Sequence, residues 1–175
     1  SLCLSHPDIV QKIHLEYINA GAEIITTNSF GANFFRLVKY GMQEDVRKIN
    51  IRAVKIAREA REISGKNVFV AGSVGPIGKP IEPLGSITIE EASNTFRHQI
   101  NALIEGGVDL LIFETFSNLN EIKIALQVAR EITQLPIIAG VTYNEDGETP
   151  YGQSPEQVVK VLEDYGADVI GANCS

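Results

Sequence analysis

Along the chain, stretches in which apolar residues recur every third or fourth position alternate with short runs that are apolar throughout. Val10, Ile13, His14, Tyr17 and Ile18 make one such stripe. Ser5 as cap, Pro7 in the first turn and Gly21 as terminator predict a helix across it. Val46, Ile49, Ala53, Ile56 and Ala60 make a second stripe, closed by Gly65. Thr88 followed by Glu91 has capping-box spacing and opens a third helix. "NLNEIKIALQVAREITQL" reads as a fourth, and "SPEQVVKVLEDYG" as a fifth, with Ser154 as cap and Pro155 at the first helical position. Between and after them lie five apolar runs, near residues 23–27, 68–72, 109–113, 137–141 and 168–172.

These runs are β-branched and continuous rather than alternating, as for parallel strands buried on both faces. Alternation with helices predicts an α/β architecture with strands paired in sequence order. A weak internal repeat agrees. "NAGAEIITTNS", "EGGVDLLIFETFS" and "DYGADVIGANCS" each pass from a helix end through Gly, a small residue and an acid into a strand that ends in polar residues. A doubly wound sheet and a (β/α)8 TIM barrel both fit this order. No glycine-rich dinucleotide fingerprint follows any strand, since "GSVGPIG" contains Pro and opens no immediate helix. A barrel takes about 250 residues. The expectation is therefore a partial barrel over 1–175, lacking one strand before it and two β/α units after it; the absence of an initiator Met points the same way.

Charge and composition narrow the partners. A net charge of -7 disfavours nucleic acid, and the basic run in "VRKINIRAVKIAREAR" is interleaved with acids, as on a solvated helix face. No apolar run approaches the roughly 20 residues of a membrane span. The first residues have neither the basic nor the apolar region of a signal peptide. Two cysteines do not make a disulfide scaffold, so the expected compartment is the cytoplasm.

In a barrel, chemistry lies where strands end. Those ends carry Thr27, Asn28 and Ser29; Ser73; Glu114 and Thr115; Thr142 and Tyr143; Asn173 and Cys174. No strand ends in Lys, against a Schiff-base aldolase, and a single acid leaves no glycosidase pair. Glu114 closes the run "LLIF", where a carboxylate is costly unless it meets a positive charge or hydrogen-bond donors. On the residues alone it binds a ligand, caps a loop or pairs with an Arg. Cys174 is a reactive thiol or a small buried hydrophobe. Cys3 reads as structural, and His6, His14 and His98 as surface or packing residues.

Four stretches, "AGAEIITTNSFGAN", "VAGSVGP", "DLLIFET" and "GANC", in this order and at these separations, resemble the homocysteine S-methyltransferase domain from about residue 5 onward. The "EDVRKINIRAV" helix is most similar to bacterial bifunctional proteins that join this domain to a methylenetetrahydrofolate reductase domain. The resemblance implies a (β/α)8 barrel holding zinc through three cysteine thiolates. Cys174, in "GANC", would be one; the other two, an adjacent pair after the last strand, are not in this sequence, nor is the glycine-rich first strand. It also implies transfer of a methyl group to the zinc-bound thiolate of homocysteine, giving methionine. The donor would be a methylated folate, methylcobalamin or S-methylmethionine. Glu114 would meet the homocysteine amino group, Thr27 and Ser73 would lie near the amino-acid end, and Asn173 would orient the loop carrying Cys174. Two other classes stay open: a zinc-free barrel enzyme using Glu114 as general base, and a non-catalytic assembly module.

Overall fold

The computed structural model describes residues 1–175 and realises the alternation. Helix α1 (Leu2–Ser5) and α2 (Pro7–Asn19) lead to β1 (Ile24–Thr26); α3 (Phe34–Leu37) and α4 (Val46–Ser64) lead to β2 (Phe69–Val74). Then follow α5 (Ile89–Gly106), β3 (Leu110–Phe116), α6 (Leu119–Ile132), β4 (Ile137–Val141), α7 (Pro155–Asp164) and β5 (Val169–Ala172). The strands form one open sheet in the order β1-β2-β3-β4-β5, and every neighbouring pair is parallel. This is the topology of a partial TIM barrel.

The predicted caps at Thr88 and Ser154 are both full capping boxes, closed by Glu91 and Gln157. The first helix differs from expectation. Ser5 ends the short α1, and His6 is the N-cap of α2 without any side-chain hydrogen bond. Of the stripe on α2, Val10, His14 and Ile18 are buried, whereas Ile13 and Tyr17 are 46% and 65% exposed. Ile13 and Tyr17 line an open groove beside β1, whose outer edge has no neighbouring strand.

One face of the sheet packs on the helices and makes the main core, in which Phe96, Phe113 and Phe116 lie with ring centroids 6.2 and 6.3 Å apart. Close helix packing demands glycine at one point, because a Cβ on Gly106 of α5 would lie 2.7 Å from Val54 of α4. The other face holds Ser73, Glu114 and Asn173, and also Ile24, Phe69 and Val169, which are 43%, 53% and 53% exposed. In a closed barrel these apolar positions belong to the interior layers.

Two of the three acids in the repeat, Asp109 and Asp168, have a structural cause. Asp109 Oδ2 accepts from Val70 N–H at 2.7 Å and pairs with Arg61 at 2.8 Å. Asp168 Oδ2 repeats this with Ile137 N–H at 2.7 Å and Arg130 at 2.7 Å. Each acid thus ties the start of the preceding strand to an arginine on a helix, at the end of the sheet away from the polar rim. Hydrogen bonding from Ile137 N–H, and then Arg130, holds the Asp168 carboxyl below its usual range. Asp109→Ala should cost about 1–3 kcal/mol in chemical denaturation, because it strands a backbone donor and an arginine. A midpoint within error of the parent protein would show the tie to be idle.

Candidate functional site

The polar strand ends gather at one rim in two hydrogen-bonded groups that meet at the Glu114–Thr115 peptide. The first centres on Ser73, which is 1% exposed, faces inward from β2 and donates its hydroxyl to Glu114 Oε1 at 2.5 Å. Thr27 is 3% exposed, and its Oγ1 lies 2.7 Å from Ser29 Oγ and accepts from Ser73 N–H at 3.0 Å. Thr27, Asn28, Ser73 and Glu114 line one end of a cavity of about 590 Å³ whose apolar wall includes Ile13, Tyr17 and Ile24. Glu114 itself is half-buried.

The second group joins β3 to β5 across the end of β4. Asn173 Oδ1 accepts from Thr115 N–H at 2.9 Å, and Asn173 Nδ2 donates to Thr115 Oγ1 at 2.7 Å. Thr142 Oγ1 donates to the Asn173 carbonyl at 3.0 Å. Thr115 has a φ of 64°, a left-handed conformation that is a genuine outlier for a β-branched residue. The β3·β4 register shifts between Phe113 and Phe116, around this residue. Strain of roughly 1–3 kcal/mol persists only where surroundings over-determine it, and the two Asn173 bonds are that surrounding here. Cys174 is exposed, with a φ of 56°; its sulfur lies 3.5 Å from Asn173 Nδ2 and 3.6 Å from Thr115 Oγ1. It is not a buried hydrophobe. Cys3 is the buried one, packed with Val10, Ala53 and Ile56 and with its thiol on the Asn28 carbonyl at 3.5 Å.

Glycine is required where Asn173 crosses β4. A Cβ on Gly140 would lie 2.7 Å from Asn173 Oδ1. Gly140→Ala should displace the amide and free the Thr115 N–H. The expected readout is faster hydrogen exchange at Thr115; unaltered exchange would mean that Asn173 does not hold this backbone.

Residues outside the sequence reading support the same rim. Glu121, on the first turn of α6 and 8% exposed, accepts from Ile77 N–H at 2.7 Å, which latches the loop after β2. Burial pushes its carboxyl up, opposed by the Ile77 bond and the Arg36 charge. Arg36 Nε donates to the Pro76 carbonyl of that loop at 2.8 Å and lies 5.3 Å from the centroid of Phe30. An acid in a first helical turn reads from sequence as a helix-dipole partner, so only its burial reveals the latch. His14 is 6% exposed with Nε2 unpartnered, and burial pushes its pKa down, in keeping with a packing role. No three His, Cys, Asp or Glu side chains cluster to hold a metal. Cys174 is the exposed soft donor at this rim. No helix is long and apolar enough to cross a membrane.

Parallel strands in sequence order, with polar side chains gathered at their C-terminal ends, place the chain in the TIM-barrel class. Solved structures agree: oxaloacetate acetylhydrolase, 13% identical with a TM-score of 0.55, shares the fold alone. The profile of the family described as Homocysteine S-methyltransferase matches residues 1–175, and the chain belongs to that family. The metallated form of the homocysteine methyltransferase MmuM from Escherichia coli superposes with a TM-score of 0.87 at 26% identity, covering 99% of this chain and 65% of that one. Methionine synthases from Mycobacterium tuberculosis and Mycobacterium leprae are 28% and 30% identical over 98% of this chain. The chain spans 15% of the length of either synthase.

Proposed function

We propose that this chain forms the homocysteine-binding part of a methyltransferase barrel that converts homocysteine to methionine, the domain being completed by β/α units beyond those present here. The observation that carries the reading is the junction at residues 114–115. A half-buried carboxylate with one oxygen on Ser73 is followed directly by a strained residue whose hydroxyl lies against the Cys174 sulfur. An amine-binding group and a soft metal ligand are thereby fixed to one peptide. That pair of groups suits a small molecule carrying both an ammonium and a thiol.

In this reading Glu114 accepts the homocysteine ammonium through Oε2, since Ser73 holds Oε1. Asn173 keeps Cys174 at the rim, and Cys174 supplies one thiolate to a zinc whose remaining ligands lie outside these residues. Methylated folate, methylcobalamin and S-methylmethionine are the candidate donors, and the likeness of the α4 region to bifunctional proteins makes a methylenetetrahydrofolate reductase domain a candidate neighbour. We place the protein in the cytoplasm on its composition. The test is methionine formation from homocysteine by the complete zinc-loaded domain with each donor in turn. Formation with one donor supports the reading, and none with any of the three sinks it.

A further inference from the structure

Thr27 and Ser29 are buried at a rim that the proposed chemistry assigns to Glu114 and Cys174, yet neither hydroxyl is free. In the β1·β2 ladder Thr27 N–H donates to the Ala71 carbonyl at 2.9 Å. The next rung of a parallel ladder would bring Ser73 N–H to the Thr27 carbonyl and Ser29 N–H to the Ser73 carbonyl. Instead Ser29 N–H turns back onto the Thr27 carbonyl at 2.8 Å, so the backbone groups for that rung are spent on each other. The side chains take their place. Ser73 N–H donates to Thr27 Oγ1 at 3.0 Å, and Ser29 Oγ donates to the Ser73 carbonyl at 2.7 Å. A hydroxyl has one proton, and that of Ser29 is committed to Ser73. The 2.7 Å contact between the two hydroxyls therefore runs from Thr27 to Ser29. The circuit is closed and has one direction: Ser73 N–H to Thr27, Thr27 to Ser29, Ser29 to Ser73 C=O. Gln99 of α5, wholly buried, anchors it by donating to the Ser29 carbonyl at 2.8 Å.

We propose that Thr27 and Ser29 form a side-chain rung of the sheet that fixes the Ser73 backbone, and that they are positioning residues: through Ser73 they aim Glu114 at the substrate ammonium. This rests on the assignment of Glu114 above. It gives Thr27 a different part from a substrate contact, because its one proton goes to Ser29 and its oxygen already accepts from Ser73 N–H.

Thr27→Val keeps the shape and removes the hydroxyl, whereas Thr27→Ser keeps the hydroxyl. In the valine variant the Ser73 amide should exchange with solvent at least about tenfold faster, without any ligand, while the serine variant stays near the parent rate. In steady state Thr27→Val should raise the KM for homocysteine roughly tenfold and leave kcat within about threefold, with Thr27→Ser restoring both. On a Ser73→Ala background Thr27→Val should add almost nothing. Ser29→Ala interrupts the same circuit and serves if the valine variant does not fold. Unchanged Ser73 exchange in either variant overturns the rung. A KM penalty that adds fully to that of Ser73→Ala overturns the indirect role and makes Thr27 a substrate contact. Absence of methyl transfer in the parent protein would count against the function alone, because the exchange measurement does not depend on it.

Discussion

Cys174→Ser in the complete domain is expected to reduce methyl transfer to background and to lower bound zinc, with the unfolding midpoint unchanged. The thiol is exposed, and its only neighbours within hydrogen-bond reach are Asn173 Nδ2 and Thr115 Oγ1. No core cluster includes it, so its removal leaves no cavity. A serine hydroxyl is a harder, weaker donor than a thiolate and is not deprotonated at neutral pH, so it does not replace a soft ligand. Metal analysis supplies a second readout. Zinc held by three protein ligands needs more than this chain offers, since no three donor side chains cluster in it. The 175 residues alone should therefore carry no stoichiometric zinc. A tight one-to-one zinc in them would contradict the expectation that further ligands lie elsewhere, and normal zinc and turnover in the Cys174→Ser domain would remove Cys174 from the site.

Glu114→Ala should weaken homocysteine binding by about 2 kcal/mol or more, close to thirtyfold, the scale for losing one partner of a buried charged hydrogen bond. The carboxylate is half-buried and already accepts from Ser73, so truncation leaves both a substrate ammonium and the Ser73 hydroxyl without an acceptor. Glu114→Gln separates the two effects. Its amide oxygen still accepts from Ser73 while the charge is lost. Calorimetric titration with homocysteine is the direct measurement, and an affinity unchanged in both variants would leave Glu114 a purely structural group.

The class of fold was legible because each strand is a short, continuous run of apolar and β-branched residues, and the long helices carry apolar stripes, two of them opened by capping boxes at Thr88 and Ser154. Local chemistry sets both patterns, so the parallel order followed from alternation alone. The repeated Gly–small–acid step was legible as a repeat, and two of its three acids, Asp109 and Asp168, tie the strand starts through Val70 and Ile137. Glu114 and Cys174 could be named because a polar residue at the end of a buried run is locally anomalous. The width of the buried face on α2 was not legible: whether Ile13 and Tyr17 are covered depends on what lies beside β1, which is a property of the sheet. Nor was the course of β3, which continues through Glu114 and Thr115 to Phe116 with a shifted register. The left-handed turn at Thr115 is imposed by an amide from a strand two places away, and no propensity of threonine forecasts it. Glu121, Gln99 and Ser29 became supports of the site only through burial and long-range hydrogen bonds. The sequence by itself determined which segments are helix and strand and which polar residues close the strands, because those are matters of period and local composition. Tertiary structure decided which hydroxyls are spent in the scaffold and which groups face the rim, because a donor's availability is settled only by the partners that folding brings to it.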